Sequence, residues 1–300
     1  MTDHVETQNP PDDTRGRIAA WRLLLSNPVT VVSAVILLLV AVIALIGGWL
    51  APYGINDTNV ANALQPPNGT HWLGTDELGR DIFSRILVAT QVSLRVALVS
   101  VAIALAGGLV IGVVAGYVRG WIDTVLMRVV DVMFAFPVLL LALAIVAILG
   151  PGLTTTMLAI GIVYTPIFAR VARAATLGVA VEPFVQVSKT MGTGGGFILA
   201  RHILPNIAGT MIVQTSLSLA FALLAEAALS FLGLGVQPPQ PSWGRMLFDA
   251  QGFLGQAWWM SVFPGAAIFV TVLAFNLAGD GLRDVLDPKQ RTMLEARRNR

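Results

Sequence analysis

Residues 28–50 read PVTVVSAVILLLVAVIALIGGWL, twenty-three positions without a charged side chain. A helix needs about 20 apolar residues to cross the hydrocarbon core of a bilayer, and this run supplies them. The apolar region of a secretory signal is shorter, roughly 7–15 residues, so the run is read as an uncleaved first transmembrane helix. The rest of the chain is similar in kind: 55% of its 300 residues are hydrophobic and 12% are charged. A soluble domain carries about 25% charged residues, so the composition describes an all-helical integral membrane protein. The absence of cysteine excludes disulfides and thiolate chemistry.

Further apolar runs follow at 92–118, 129–149, 157–177, 206–234 and 260–282, for six expected spans. The third is expected to be kinked or bounded by Pro137, and the fifth to break near its end. Residues 1–27 form a polar tail and a membrane-surface segment. Residues 51–90 form a solvent-side loop that closes in a short amphipathic helix around 76–90. RGWIDTVLMR (119–128) reads as a charged turn, 235–258 as a second loop and 284–300 as a basic tail. Six spans put both termini on one side. With that side inside, 15 of the 19 Lys and Arg residues fall on inner segments, including Arg119, Arg128, Arg170, Arg173, Lys189 and Arg201. The excess of Lys and Arg on cytoplasmic segments then predicts cytoplasmic termini, with 51–90 and 235–258 outside and 178–204 inside. The net charge of +2 makes no case for nucleic acid as a partner.

Several chemistries lack their residues. No phosphate-loop motif occurs, since GTGGGF (192–197) has neither the lysine nor the preceding strand, and there is no H-E-x-x-H or G-x-S-x-G. His4, His71 and His202 fall in three separate regions. The chain is therefore read as non-catalytic, with no metal and no cofactor of its own. Gly108, Gly112 and Gly116 share one face of the second span; small residues at that spacing let helix backbones approach, either as static packing or as a sliding interface. Asp131, Glu226 and Asp280 sit in or near spans, where a charge costs at least a few kcal/mol and faces protein or water. Asp131 and Glu226 are candidates for a transport pathway or for interhelical hydrogen bonds. Pairing of Asp131 with Arg128, or of Asp280 with Arg283, is the plainer account at the boundary.

The most polar inner segment is EPFVQVSKTMGTGGGFILARHILPNI (182–207). Pro183 suits the first position of a helix. Phe184, Val187 and Met191 share one face at helical spacing, with Glu182, Gln186 and Lys189 largely on another. Gly192 ends the helix, the following glycines make a flexible turn, and FILARHIL is expected to form a second short helix stopped by Pro205. Exposed apolar residues on such a helix suit a groove on a partner protein or a membrane surface.

This segment resembles the cytoplasmic "EAA" loop of bacterial ABC importer permeases. Gly192 and Leu204–Pro205 match its glycine and its terminal pair, while Gln186, Val187 and Ser188 occupy the triplet that names it. HWLGTDELGRDIFSRIL (71–87), DVMFAFPVLLLAL (131–143), LSFLGLGVQPPQPSWG (229–244) and NLAGDGLRDVLDP (276–288) are similar to the second permease subunit of dipeptide, oligopeptide, glutathione or nickel importers. The resemblance covers about residues 22–290. It implies a type I ABC importer permease fold, a homologous second permease and an external solute-binding protein. It also implies two cytoplasmic ATPase subunits that hold ATP and magnesium. Glu182, Phe184, Gln186, Lys189, Met191 and Gly192 would then couple the membrane part to an ATPase. Asp76, Arg80 and Asp81 are the candidate contact for the binding protein, against internal salt-bridging within the loop. The rival reading is an ion-gradient-driven secondary transporter using Asp131 or Glu226. Against it, no inverted repeat is visible.

Overall fold

The computed structural model describes residues 27–286. The expected tails at 1–26 and 287–300 lie outside the described residues. Five helices are long and apolar enough to cross a membrane, and a bent helix pair makes a sixth span if counted as one.

Helix α1 (Pro28–Leu50) has the expected bounds. Pro28 occupies its first turn and the Asn27 side chain accepts a hydrogen bond from the Val29 N–H, satisfying an end donor. Helix α2 spans Ile82–Val118, 37 residues. This corrects the expected separate amphipathic helix at 76–90: the carboxylate of Asp81 caps a helix that runs unbroken into the second span. No proline interrupts it, and at 1.5 Å per residue it is about 55 Å long. That exceeds a hydrocarbon core of about 30 Å, so its first turns rise into the 51–81 loop.

Pro137 bounds the apolar helix of the third span at its amino end, one of the two alternatives expected, but what precedes it differs from expectation. The segment 119–128 is not a turn but part of helix α3 (Gly120–Phe134), which meets α4 (Val138–Leu149) at 89°. Pro137 lies at the break. It has no N–H to donate and disfavours helical geometry at Phe136, so the span is broken rather than kinked.

Helix α5 (Leu153–Val179) follows, then α6 (Pro183–Thr190). The second short helix does not stop at Pro205. Helix α7 (Gly195–Ile198) passes through one widened turn, Leu199–Ile203, directly into α8 (Leu204–Phe231). In that turn the Leu204 N–H bonds to the Leu199 carbonyl, five residues back. Widening gives Pro205 room where an ordinary turn would press its ring against a carbonyl. Helix α9 (Trp243–Ala250) lies in the second loop, capped by the Ser242 hydroxyl, and α10 (Trp259–Leu286) closes the bundle.

The core is the α2–α5 pair. A β-carbon at Gly108 would overlap Phe168, one at Gly112 would overlap the Ala169 carbonyl, and one at Gly116 would lie 2.9 Å from the Arg173 carbonyl. The glycine stripe is thus filled by α5 of the same chain. Phe168, Ile160, Val96 and Ala172 are buried around it. Helix α1 packs outside this core on α2 and α10. Its contacts are also close: a β-carbon at Gly47 would lie 2.6 Å from the Leu87 carbonyl. Much of the rest of α1, including Leu38, Leu45 and Trp49, is exposed, as a helix bathed in lipid requires.

Candidate functional site

Helix α6 stands between two spans, tied at both ends. Glu182 is its cap residue, extended in backbone, and Pro183 begins the helix. The Gln186 side-chain amide donates to the Ala180 carbonyl at 2.7 Å, satisfying an acceptor at the end of α5. At the other end, the Gly192 N–H bonds to Lys189 and the Thr193 N–H to Ser188. This pattern needs a residue at positive φ after the helix, and Gly192 has φ +77°.

Val185 is buried beneath the helix. The opposite side carries Phe184, Val187 and Met191, which are 42, 56 and 79% exposed. Spacings of three and four put them on one face, and Val181, in the turn before the helix, is exposed beside them. Glu182, Gln186 and Lys189 are also exposed. The predicted coupling residues therefore come together around one short helix with an uncovered apolar face.

Two contacts here were not anticipated. His202, in the widened turn, sits between Phe184 and Phe197, with ring centroids 5.9 and 6.0 Å away. Its Nε2 lies 3.4 Å from the Ser188 hydroxyl. Tyr117, near the end of α2, lies under the Lys189 ammonium at 5.0 Å. A β-carbon on Gly195 would meet its ring at 3.2 Å. His202 was visible in the sequence only as a polar residue in a polar segment, and Tyr117 carried no signal.

At the end carrying 51–81, Asp76 and Asp81 are only 4 and 3% exposed. Asp76 accepts from the Arg80 guanidinium at 2.6 Å, and Arg80 also reaches Glu77 at 3.1 Å. Asp81 lies 2.9 Å from His71 Nδ1 and accepts from the Ser84 hydroxyl at 2.7 Å. Arg85 faces Asp76 and Asp249 at 3.7 and 3.8 Å, and Arg245 pairs with Asp249 at 2.9 Å. Of the two readings of Asp76, Arg80 and Asp81, the internal one matches these contacts: the two carboxylates bind the loop to itself, and Arg80 and Arg85 link it to Asp249 of α9. Burial, then the Asp76 charge, push the Glu77 carboxyl above its ordinary range.

The two intramembrane carboxylates differ in setting, one enclosed and one exposed. Glu226 is fully enclosed, with Ser230 donating to it at 2.8 Å and Ser242 and Ser93 beside it. Asp131 pairs at 2.7 Å with Arg170 of α5, not with Arg128 as expected, and Arg170 also lies over the Phe134 ring. Among the described residues no three histidine or carboxylate groups converge as a metal site.

Residues 108–292 match the family described as binding-protein-dependent transport system inner membrane component. The chain belongs to that family. A further match, at residues 18–67, is to the N-terminal transmembrane domain of oligopeptide transport permease C. The permease is 44% identical over 287 residues to the dipeptide transport system permease protein DppC of Alkalihalophilus pseudofirmus, covering 94% of each chain. It is 42% identical to the probable D,D-dipeptide transport system permease protein DdpC of Escherichia coli K12, covering 96% of this chain and 97% of that one. It is 46% identical to the glutathione transport system permease protein GsiD of Shigella flexneri, covering 90 and 89%. Among solved structures it is similar to a chain of the inward-facing MetNI methionine ABC transporter, with TM-score 0.56 and 18% identity over 66% of this chain and 94% of that one. That likeness supports the type I fold. The permease is thus a non-catalytic, multi-pass membrane subunit of an ABC importer, and the ion-gradient alternative is not favoured.

Proposed function

We propose that this permease carries di- or oligopeptides through a pathway shared with a homologous second permease, and that α6 takes the driving motion from a cytoplasmic ATPase. The observation that carries the coupling half is the exposed apolar face Phe184–Val187–Met191 on a helix fixed at both ends. Exposed apolar patches of this kind mark interaction sites, and a short helix fits a groove. Phe184 and Met191 would fill that groove, with Glu182, Gln186 and Lys189 making polar contacts around it. Gly192 would hold the turn. ATP and magnesium would belong to the partner ATPases. The distribution of basic residues supports cytoplasmic termini and a cytoplasmic α6. The 51–81 and 232–258 segments would then face the external binding protein. Asp76, Arg80 and Asp81 would hold that surface in shape rather than touch the partner. The names of the relatives support a peptide cargo, with glutathione as a tripeptide-sized variant.

The test is reconstitution of the permease with its partner permease, ATPases and binding protein in liposomes. Labelled dipeptide should accumulate inside only with ATP. The Phe184→Asp and Gly192→Pro variants should insert normally but separate ATP hydrolysis from uptake. Normal uptake by both variants would sink the coupling assignment. Uptake of neither dipeptide, oligopeptide nor glutathione by the intact complex would sink the cargo.

A further inference from the structure

The route from α6 to the spans runs past a glycine run. Gly192 and Gly194 lie in the link between α6 and the long α7–α8 helix, and Gly195 and Gly196 open α7; a glycine-rich link alone transmits little force because its backbone bends easily. The geometry supplies a bypass. His202 projects from the widened turn at the foot of α8 and is held between Phe184 of α6 and Phe197 of α7, while its Nε2 faces Ser188 of α6. Both ring contacts are tilted or edge-on, arrangements that aromatic rings favour. The residues on either side anchor the turn: Ile198 and Ile203 are buried, and Asn206 bonds back to the His202 carbonyl at 2.6 Å.

We propose that His202 is a positioning residue for coupling: it clasps α6 to the foot of α8, so that displacement of α6 turns the fifth span directly rather than being absorbed in the glycine run. Tyr117 provides a second anchor, between Lys189 and Gly195, at the end of α2. Motion of α6 is thereby shared between α8 and the α2–α5 core. The inference rests on the reading of α6 as the ATPase contact, but it concerns a residue on the membrane side of that contact.

Three variants in the full reconstituted complex separate the two ideas. His202→Ala should still co-purify with the ATPases and hydrolyse ATP, with uptake per ATP reduced about tenfold by loss of two ring contacts. His202→Phe keeps a ring between Phe184 and Phe197 and should restore most of the uptake. Met191→Asp alters the exposed face and should lose the ATPases. Wild-type uptake per ATP in His202→Ala overturns the clasp, as does loss of its ATPases or a His202→Phe variant no better than His202→Ala. Retention of the ATPases by Met191→Asp overturns instead the assignment of the docking face.

Discussion

Arg173 of α5 donates to both carboxylate oxygens of Asp123 on α3, at 2.5 and 2.6 Å. About two helix turns further along α3, Asp131 meets Arg170 of the same helix α5 at 2.7 Å. Helix α3, bent 89° away from α4, is therefore held to α5 by two ion pairs. The Arg173 pair is the better shielded, with side chains 34 and 16% exposed against 50% for both partners of the other pair.

The planar guanidinium makes the Arg173–Asp123 contact two-pronged, which lysine cannot reproduce. Arg173→Lys should lower the thermal midpoint of the detergent-solubilised complex. In a double-mutant cycle with Asp123→Asn the coupling should be about 1 kcal/mol. Additive effects of the two substitutions would show that the pair does not hold α3.

The glycine stripe yields a sharper contrast. Gly112→Leu must push α5 away from α2, because a β-carbon there already overlaps Ala169 and lies 2.7 Å from Ala172 Cβ. Overpacking at such a contact costs about 1–3 kcal/mol, to be read as a lower thermal midpoint and poorer complex yield. Gly107→Ala is the control: its nearest neighbour would be Thr165 Cγ2 at 3.4 Å, an ordinary contact. Equal tolerance of both substitutions would mean that α2 and α5 are not packed as described.

What could be read from the sequence follows what each residue can decide locally. The span at 28–50 was legible because an uncharged apolar run of 23 residues is the length a membrane-crossing helix needs. The turn at Gly192 was legible because only glycine accepts that backbone cheaply. The length of α2 was not, since apolar runs report what enters lipid and not where a helix begins in water. Proline was the least transparent. Pro137 breaks its span outright, whereas Pro205 is absorbed by a widened turn. The difference lies in whether neighbouring structure relieves the missing hydrogen bond. Among the candidate site residues, the exposed face of α6 was legible from spacing. Arg80 as a partner of Asp76, four residues away, was within reach of the sequence, but the partner of Asp131 was not, because such ion pairs are chosen by tertiary approach: Arg170 reaches Asp131 across 39 positions of sequence.

Glu77 carries a pH prediction. One of its carboxylate oxygens is buried without a partner. Burial, then the Asp76 charge, hold its pKa above the ordinary 4.5. A carboxyl raised in the folded state favours folding at acid pH, and that contribution is lost as pH rises through the raised value. Ionised Glu77 therefore weakens the loop at neutral pH. Glu77→Gln should raise the thermal midpoint at pH 7, with the advantage shrinking toward pH 4.5 as the wild-type group gains its proton. A Gln advantage that is constant with pH, or absent at pH 7, counts against this account.

Pro205 offers the last test, of the widened turn itself. With proline at 205 the backbone cannot donate to the Arg201 carbonyl, and the Leu204 N–H reaches back to Leu199 instead. Pro205→Ala restores the missing donor, so the turn is free to contract to ordinary helical spacing. Removing one residue from a turn rotates everything on one side of it by about 100° relative to the other. His202 would then leave its place between Phe184 and Phe197, and α6 would lose its register with α8. The variant should keep its thermal midpoint or raise it, because proline is the poorest helix former. Its uptake per ATP should nonetheless fall by about tenfold, as in His202→Ala. A stable Pro205→Ala complex with wild-type uptake would show that the foot of α8 tolerates either turn, and that the widened one has no part in coupling.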